Sequence, residues 1–140
     1  MFGNLISYVF YIHGMGNRHR NIAGDNKLDI VIGHGAGSPN SLSCETWQKD
    51  AFAHFLEKAG FCTYEGKKGG PMSGWSRSNM NQLFRKWYPN TSVKSMQLEL
   101  IYDLRSSSDS CIITADYLAD AMKDLIELEN FSTTRVLKSY

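Results

Sequence analysis

Long apolar runs, paired cysteines and charge of one sign are all missing from this 140-residue sequence. No stretch reaches the roughly 18 apolar residues that a membrane-spanning helix requires. Fifteen Lys and Arg against fourteen Asp and Glu leave a formal charge of +1, so no electrostatic case exists for a nucleic-acid or membrane-surface partner. Cys44, Cys62 and Cys111 are odd in number, widely spaced and without a C-x-x-C pair. That argues against a disulfide framework and for free thiols in a reducing cytoplasm. No Lys or Arg precedes the apolar stretch Leu5–Ile12 and no small-residue cleavage site follows it, unlike a secretory leader. Repeats, low-complexity blocks and linkers are absent as well. With 42% hydrophobic and 21% charged residues, the composition suits one packed core.

What is present reads as an alternation of strands and helices. Ile6–His13 is a continuous apolar run rich in β-branched and aromatic residues, as in a strand buried on both faces. Leu28–Gly33 is a second such run, and the first Gly-rich loop follows it. A helix is expected over Glu45–Ala59, with Ser43 as its N-cap, Gly60 after its end and Trp47, Ala51, Phe55 and Ala59, with Phe52 and Leu56, along one stripe. Phe61–Tyr64 reads as a short strand, Glu65–Gly74 as a long mobile loop, and Asn79–Tyr88 as a short helix stopped at Pro89. Val93–Tyr102 alternates cleanly, with Met96, Leu98 and Leu100 on one side and Ser95, Gln97 and Glu99 on the other. Thr114 is placed to cap a last helix, Ala115–Glu129. The order predicts a single α/β domain over residues 1–129, a mainly parallel or mixed sheet flanked by helices, with a loose tail over 130–140.

Ligands of open α/β sheets gather where strands end. His13 ends the first strand and His34 the second, so parallel strands would turn both imidazoles toward one crevice, for metal binding or proton transfer. Either could equally cap a strand and donate to a backbone carbonyl. Glu99 sits mid-strand between leucines, where packing would hold its rotamer as a general base requires. The same alternation also fits a strand whose polar face meets solvent. Arg18, Arg20, Arg77 and Arg105 supply cations for a substrate carboxylate, or simply solvated loop charges, and Asp29 and Asp103 are possible partners for them. A serine hydrolase lacks its elbow here: Gly74-Trp75-Ser76-Arg77-Ser78 has no second glycine, and no histidine follows His54. Cys62 and Cys111 lie in apolar sequence without a base.

Taken in order, Ile12-His13-Gly14-Met15, Leu28–Gly33 leading to Ser38, Ala59-Gly60-Phe61, Gly69-Gly70 through Gly74-Trp75-Ser76-Arg77, and Ser95-Met96-Gln97-Leu98-Glu99-Leu100 resemble the N-formylglutamate amidohydrolase and poly-γ-glutamate hydrolase group. The likeness spans roughly residues 7–126. It implies a zinc-carboxypeptidase-like fold and hydrolysis of a glutamyl or N-formylglutamate-like amide, or of a glutamyl polymer. His13 would then be a zinc ligand and Glu99 the base that activates water, while Arg77 and Arg18 would hold substrate carboxylates. The family's other two ligands, a His and a Glu from an upstream loop, have no counterpart before His13, and Tyr11 replaces an Asp that would orient the imidazole. His34 and His19 are the available substitutes. The resemblance therefore implies an N-terminally truncated or remodelled relative, or half of a site completed by a homo-oligomer or partner chain. A catalytically inactive binding or assembly domain and a serine esterase using Ser76 or Ser38 are the alternative readings.

Overall fold

In the computed structural model, which describes residues 6–24, 27–89 and 93–138, the alternating segment becomes the central strand. Four strands, β1 (Ser7–Met15), β2 (Ile30–Gly33), β3 (Thr63–Glu65) and β4 (Val93–Ile101), form one sheet in the order β1-β4-β2-β3. β1 runs parallel to β4, β2 antiparallel to β4, and β3 parallel to β2, so the sheet is mixed. The direction of β2 follows from its connection. Returning a chain to the start of a parallel neighbour takes a long crossover, usually a helix. Here the described residues of the link after β1 hold only a 3₁₀ segment, Asn17–Ala23, and the link delivers Ile30 opposite Leu100, at the end of the sheet where β1 stops.

Met96, Leu98 and Leu100 of β4 join Ile30 and Ile32 in a dry layer under two helices. Helix α1 (Thr46–Lys58) contributes Phe52 and Leu56, and helix α3 (Ser108–Lys138) contributes Leu118, Ala121 and Leu125. The opposite face carries a smaller apolar cluster of Met15, Leu28, Val31 and Ile101, with Met72 and Leu104 against it. Beside that cluster lies helix α2 (Met80–Trp87).

Several local expectations change. Glu45, not Ser43, starts α1, through reciprocal bonds with Gln48; Ser43 instead donates to Ser95 O at 2.7 Å. Thr114 lies inside α3 and donates to Leu104 O, while Ser107 Oγ accepts from the N–H of Ser110 at the helix start. Helix α3 thus begins seven residues before the expected Ala115 and continues through 138, so most of the expected loose tail is helical; residues 139–140 lie outside the described ones. The glycine-rich segment is not a free loop either. Gly66 donates to Ile32 O and Gly35 to Ser73 O, and a Cβ at Gly33 would collide with the Met72 carbonyl, so only glycine lets this segment close over the sheet.

Leu98 is fully buried between the helices. Leu98→Ala is expected to cost about 2–5 kcal/mol, read as a lower urea midpoint at unchanged denaturant slope; a shift within error would mean that the β4 layer is not the main core.

Candidate functional site

The polar side of β4 does not simply meet solvent. Ser95 and Gln97 are buried, and a buried polar group is costly unless hydrogen-bonded. Register brings Tyr11 of β1 beside Gln97 and His13 beside Glu99 on the same face. The N-terminus of α2 supplies the remaining partners. Asn79 Nδ2 donates to Gln97 Oε1 at 2.6 Å, and Gln97 Nε2 donates to Glu99 Oε1 at 2.6 Å. The Tyr11 hydroxyl contacts Asn79 Oδ1 and accepts from the Asn81 N–H. Asn81, fully buried, donates to Gly33 O and accepts from the Ser95 hydroxyl. Burial raises the Tyr11 phenol to about 12, so it stays a neutral donor.

Glu99 ends this chain of hydrogen bonds, half-buried. Burial pushes its carboxyl above the ordinary glutamate range, while His13, the Gln97 amide, His19 and Arg105 pull it back. His19 comes from the 3₁₀ segment after β1 and accepts a long bond from Arg18 Nε at 3.4 Å. Arg105 lies across the end of β1, donating to Met15 O at 3.2 Å over Gly14, where any Cβ would strike its guanidinium. Glu99 thus has the His13 imidazole beside it on the same face, while the Arg105 guanidinium acts on it from the α1–α3 face, where it lies over Gly14, and Arg18 sits next to His19.

Of the residues proposed from sequence, His13 and Glu99 come together, and Arg18 reaches their neighbourhood through His19. Arg77 does not join them. It lines a separate hollow of about 540 Å³ with Ser38, Trp75, Gln82, Arg85 and Lys86, because the segment that carries it turns outward before Asn79 caps α2. His34 is also corrected: with β2 antiparallel, its imidazole sits at the opposite end of the sheet from His13. There it is buried 3.7 Å from Glu65, which Lys49 holds at 2.8 Å, and burial lowers its pKa. Asp29 and Asp103 do pair with an arginine, Arg20, at 3.8 and 3.1 Å.

Burial raises the Cys44 thiol to about 12, and neither Ser38 nor Ser76 bonds to a histidine among the described residues. The same residues contain no group of three His, Cys, Asp or Glu side chains able to hold a metal ion, and no helix long and apolar enough to cross a membrane. Tyr11, Asn79, Asn81 and Gln97 were not singled out from sequence, although the spacing of two between Tyr11 and His13 and between Gln97 and Glu99 put each pair on one face. Comparison with family models, with curated proteins and with solved structures returns no match.

A carboxyl whose native pKa is raised binds protons more tightly folded than unfolded, so its contribution favours folding at low pH and is lost as pH rises through the native value. Glu99→Gln removes that term. Its stability relative to wild type is expected to improve as pH climbs from below to above the glutamate range, measured by urea melts; a difference that stays flat, or falls, over that range would contradict a raised carboxyl.

Proposed function

We propose that this chain is a hydrolytic domain in which Glu99 serves as general base on a small acidic amide, of the glutamyl or N-formylglutamate type. The observation that carries this reading is the register pairing of His13 with Glu99 at the wet end of an otherwise satisfied polar chain. Gln97 occupies Oε1 of the carboxylate, which leaves Oε2 for a water. As that water adds to the amide carbonyl, Glu99 takes its proton and then delivers it to the departing amine. The raised pKa makes the carboxylate a stronger base than a solvated one. Arg18, next to His19, is the guanidinium on this side that would hold an anionic substrate, with the His13 and His19 imidazoles as hydrogen-bond partners.

The zinc-carboxypeptidase-like fold belongs to the same proposal, supported by the parallel β1–β4 pair with its His and Glu side by side. Zinc itself does not fit the described residues: catalytic zinc takes three protein donors, and His13 lacks two companions. In this reading zinc depends on donors from outside them, and no step above uses it. A cytoplasmic location accords with three cysteines that form no disulfide. A second reading, a catalytically inactive domain that binds the same acidic ligand, is favoured by that incomplete donor set.

The deciding assay follows glutamate release from N-formyl-L-glutamate and from a short γ-glutamyl oligomer, with and without added zinc, for wild type, His13→Ala and Glu99→Gln. The hydrolase reading expects Glu99→Gln to lose about 10²–10⁴-fold in kcat with an unchanged circular dichroism spectrum. Full turnover in Glu99→Gln would overturn the role of Glu99. Binding of N-formyl-L-glutamate without turnover in the wild type would establish the inactive reading instead.

A further inference from the structure

We infer that the outer edge of β1 pairs antiparallel with β1 of a second copy of this chain, joining two four-stranded sheets into one of eight strands. β1 is the terminal strand of the sheet and is nine residues long. Its outward row of N–H and C=O groups has no neighbouring strand among the described residues, and such a row is a template for another strand. Folded proteins usually guard an edge with Lys, Pro, a bulge or brevity. The opposite edge, β3, is guarded, being three residues long and ending in Glu65. Ser7-Tyr8-Val9-Phe10-Tyr11-Ile12-His13-Gly14-Met15 has no Lys, Arg, Asp, Glu or Pro.

The sequence of the strand argues for a copy of itself as the occupant. A two-fold axis at Tyr11 pairs all nine residues and leaves none overhanging. On the face covered by α1 and α3, Phe10 then meets Ile12 of the second copy and Ile12 meets its Phe10, while Tyr8 stands opposite Gly14, whose face is already filled by Arg105. The Phe10–Ile12 pair, made twice, is a favourable cross-strand combination of an aromatic with a β-branched residue. Ile12 is 52% exposed and borders an apolar groove of about 340 Å³ lined by Leu100, Leu118 and Met122, which continues the contact beyond the strand edge. On the other face Tyr11 meets its own copy, and Val9 of the second copy stands opposite His13. No like charges are opposed anywhere along the pairing. The second copy therefore also forms a wall of the Glu99 crevice at its open side.

Sedimentation velocity over a dilution series, on the intact chain, reads the mass directly. A dimer is expected for wild type, with Val9→Lys and Ile12→Lys both monomeric at unchanged helical circular dichroism. Should either variant fail to fold, hydrogen exchange on wild type answers the same question: alternate β1 amides are expected to exchange more slowly in concentrated protein than after dilution. A wild-type monomer at every concentration overturns the inference. So does a dimer that survives both lysines, which would place the contact elsewhere, as on the exposed Ile112 and Ile113 of α3. Exchange in β1 that is independent of concentration overturns it too.

Discussion

Everything around the candidate site depends on one constraint: β4 is central, so its polar side has to be buried as well as its apolar side. Met96, Leu98 and Leu100 solve their half by packing under α1 and α3. Ser95 and Gln97 have no such option and must find hydrogen bonds in place of water, since an unsatisfied buried amide costs about 1–3 kcal/mol. They find them at the start of α2. Asn81 bridges Ser95 to the Gly33 carbonyl, and Asn79 bridges Tyr11 to Gln97. The demand for satisfied polar groups therefore positions α2, and α2 in turn holds Tyr11 and Gln97 in fixed orientations. Glu99 is the residue at which this network reaches solvent, which is why a carboxylate is tolerated there.

Charge is distributed to suit. His13, His19 and Arg105 all act on Glu99. They do so because β1 and β4 are parallel and finish at the same end of the sheet, so the 3₁₀ segments that follow each strand, one with His19 and one with Arg105, lie close to the carboxylate, Arg105 acting from the α1–α3 face. At the other end Lys49 answers Asp50 and Glu65, and His34 is buried among them. That second cluster pairs its charges within itself, with Lys49 buried and Asp50 and Glu65 exposed.

The parts of this arrangement that were legible in the sequence are those set by periods of two and of 3.6 residues. β4 and its two faces, Phe52 and Leu56 within the apolar stripe of α1 (whose Trp47 is exposed), and Glu99 as a carboxylate fixed by a strand could all be read from spacing. The direction of β2 could not, because a buried apolar run looks the same whether its neighbour is parallel or antiparallel; that ambiguity is what placed His34 in the wrong crevice. Arg77 was misplaced for a related reason, since no local pattern says which way a glycine-rich segment leaves a sheet. Asn79 and Asn81 looked like ordinary residues at a helix start. Their importance comes from Ser95 and Gln97, more than a dozen residues away, and long-range satisfaction of polar groups leaves no local signature.

The unguarded edge of β1 and the site are consequences of the same strand. A lysine guard needs a position whose side chain is free, and β1 has few. On one face, Tyr11 and His13 are committed to the polar chain and to Glu99, and Met15 is buried. On the other, Tyr8 donates to Glu129, Phe10 stacks on Phe52, and Gly14 must stay bare to admit Arg105. Positions 7, 9 and 12 are the ones where a charge would displace no such contact, and there the chain carries serine, valine and isoleucine. Proline is no easier, because it locks φ and deletes a donor within a strand that must hold register with β4 to keep His13 against Glu99. An edge that serves the site on one face and the core on the other has little room for a charged guard, which leaves covering as its protection, and the proposed second copy supplies that cover.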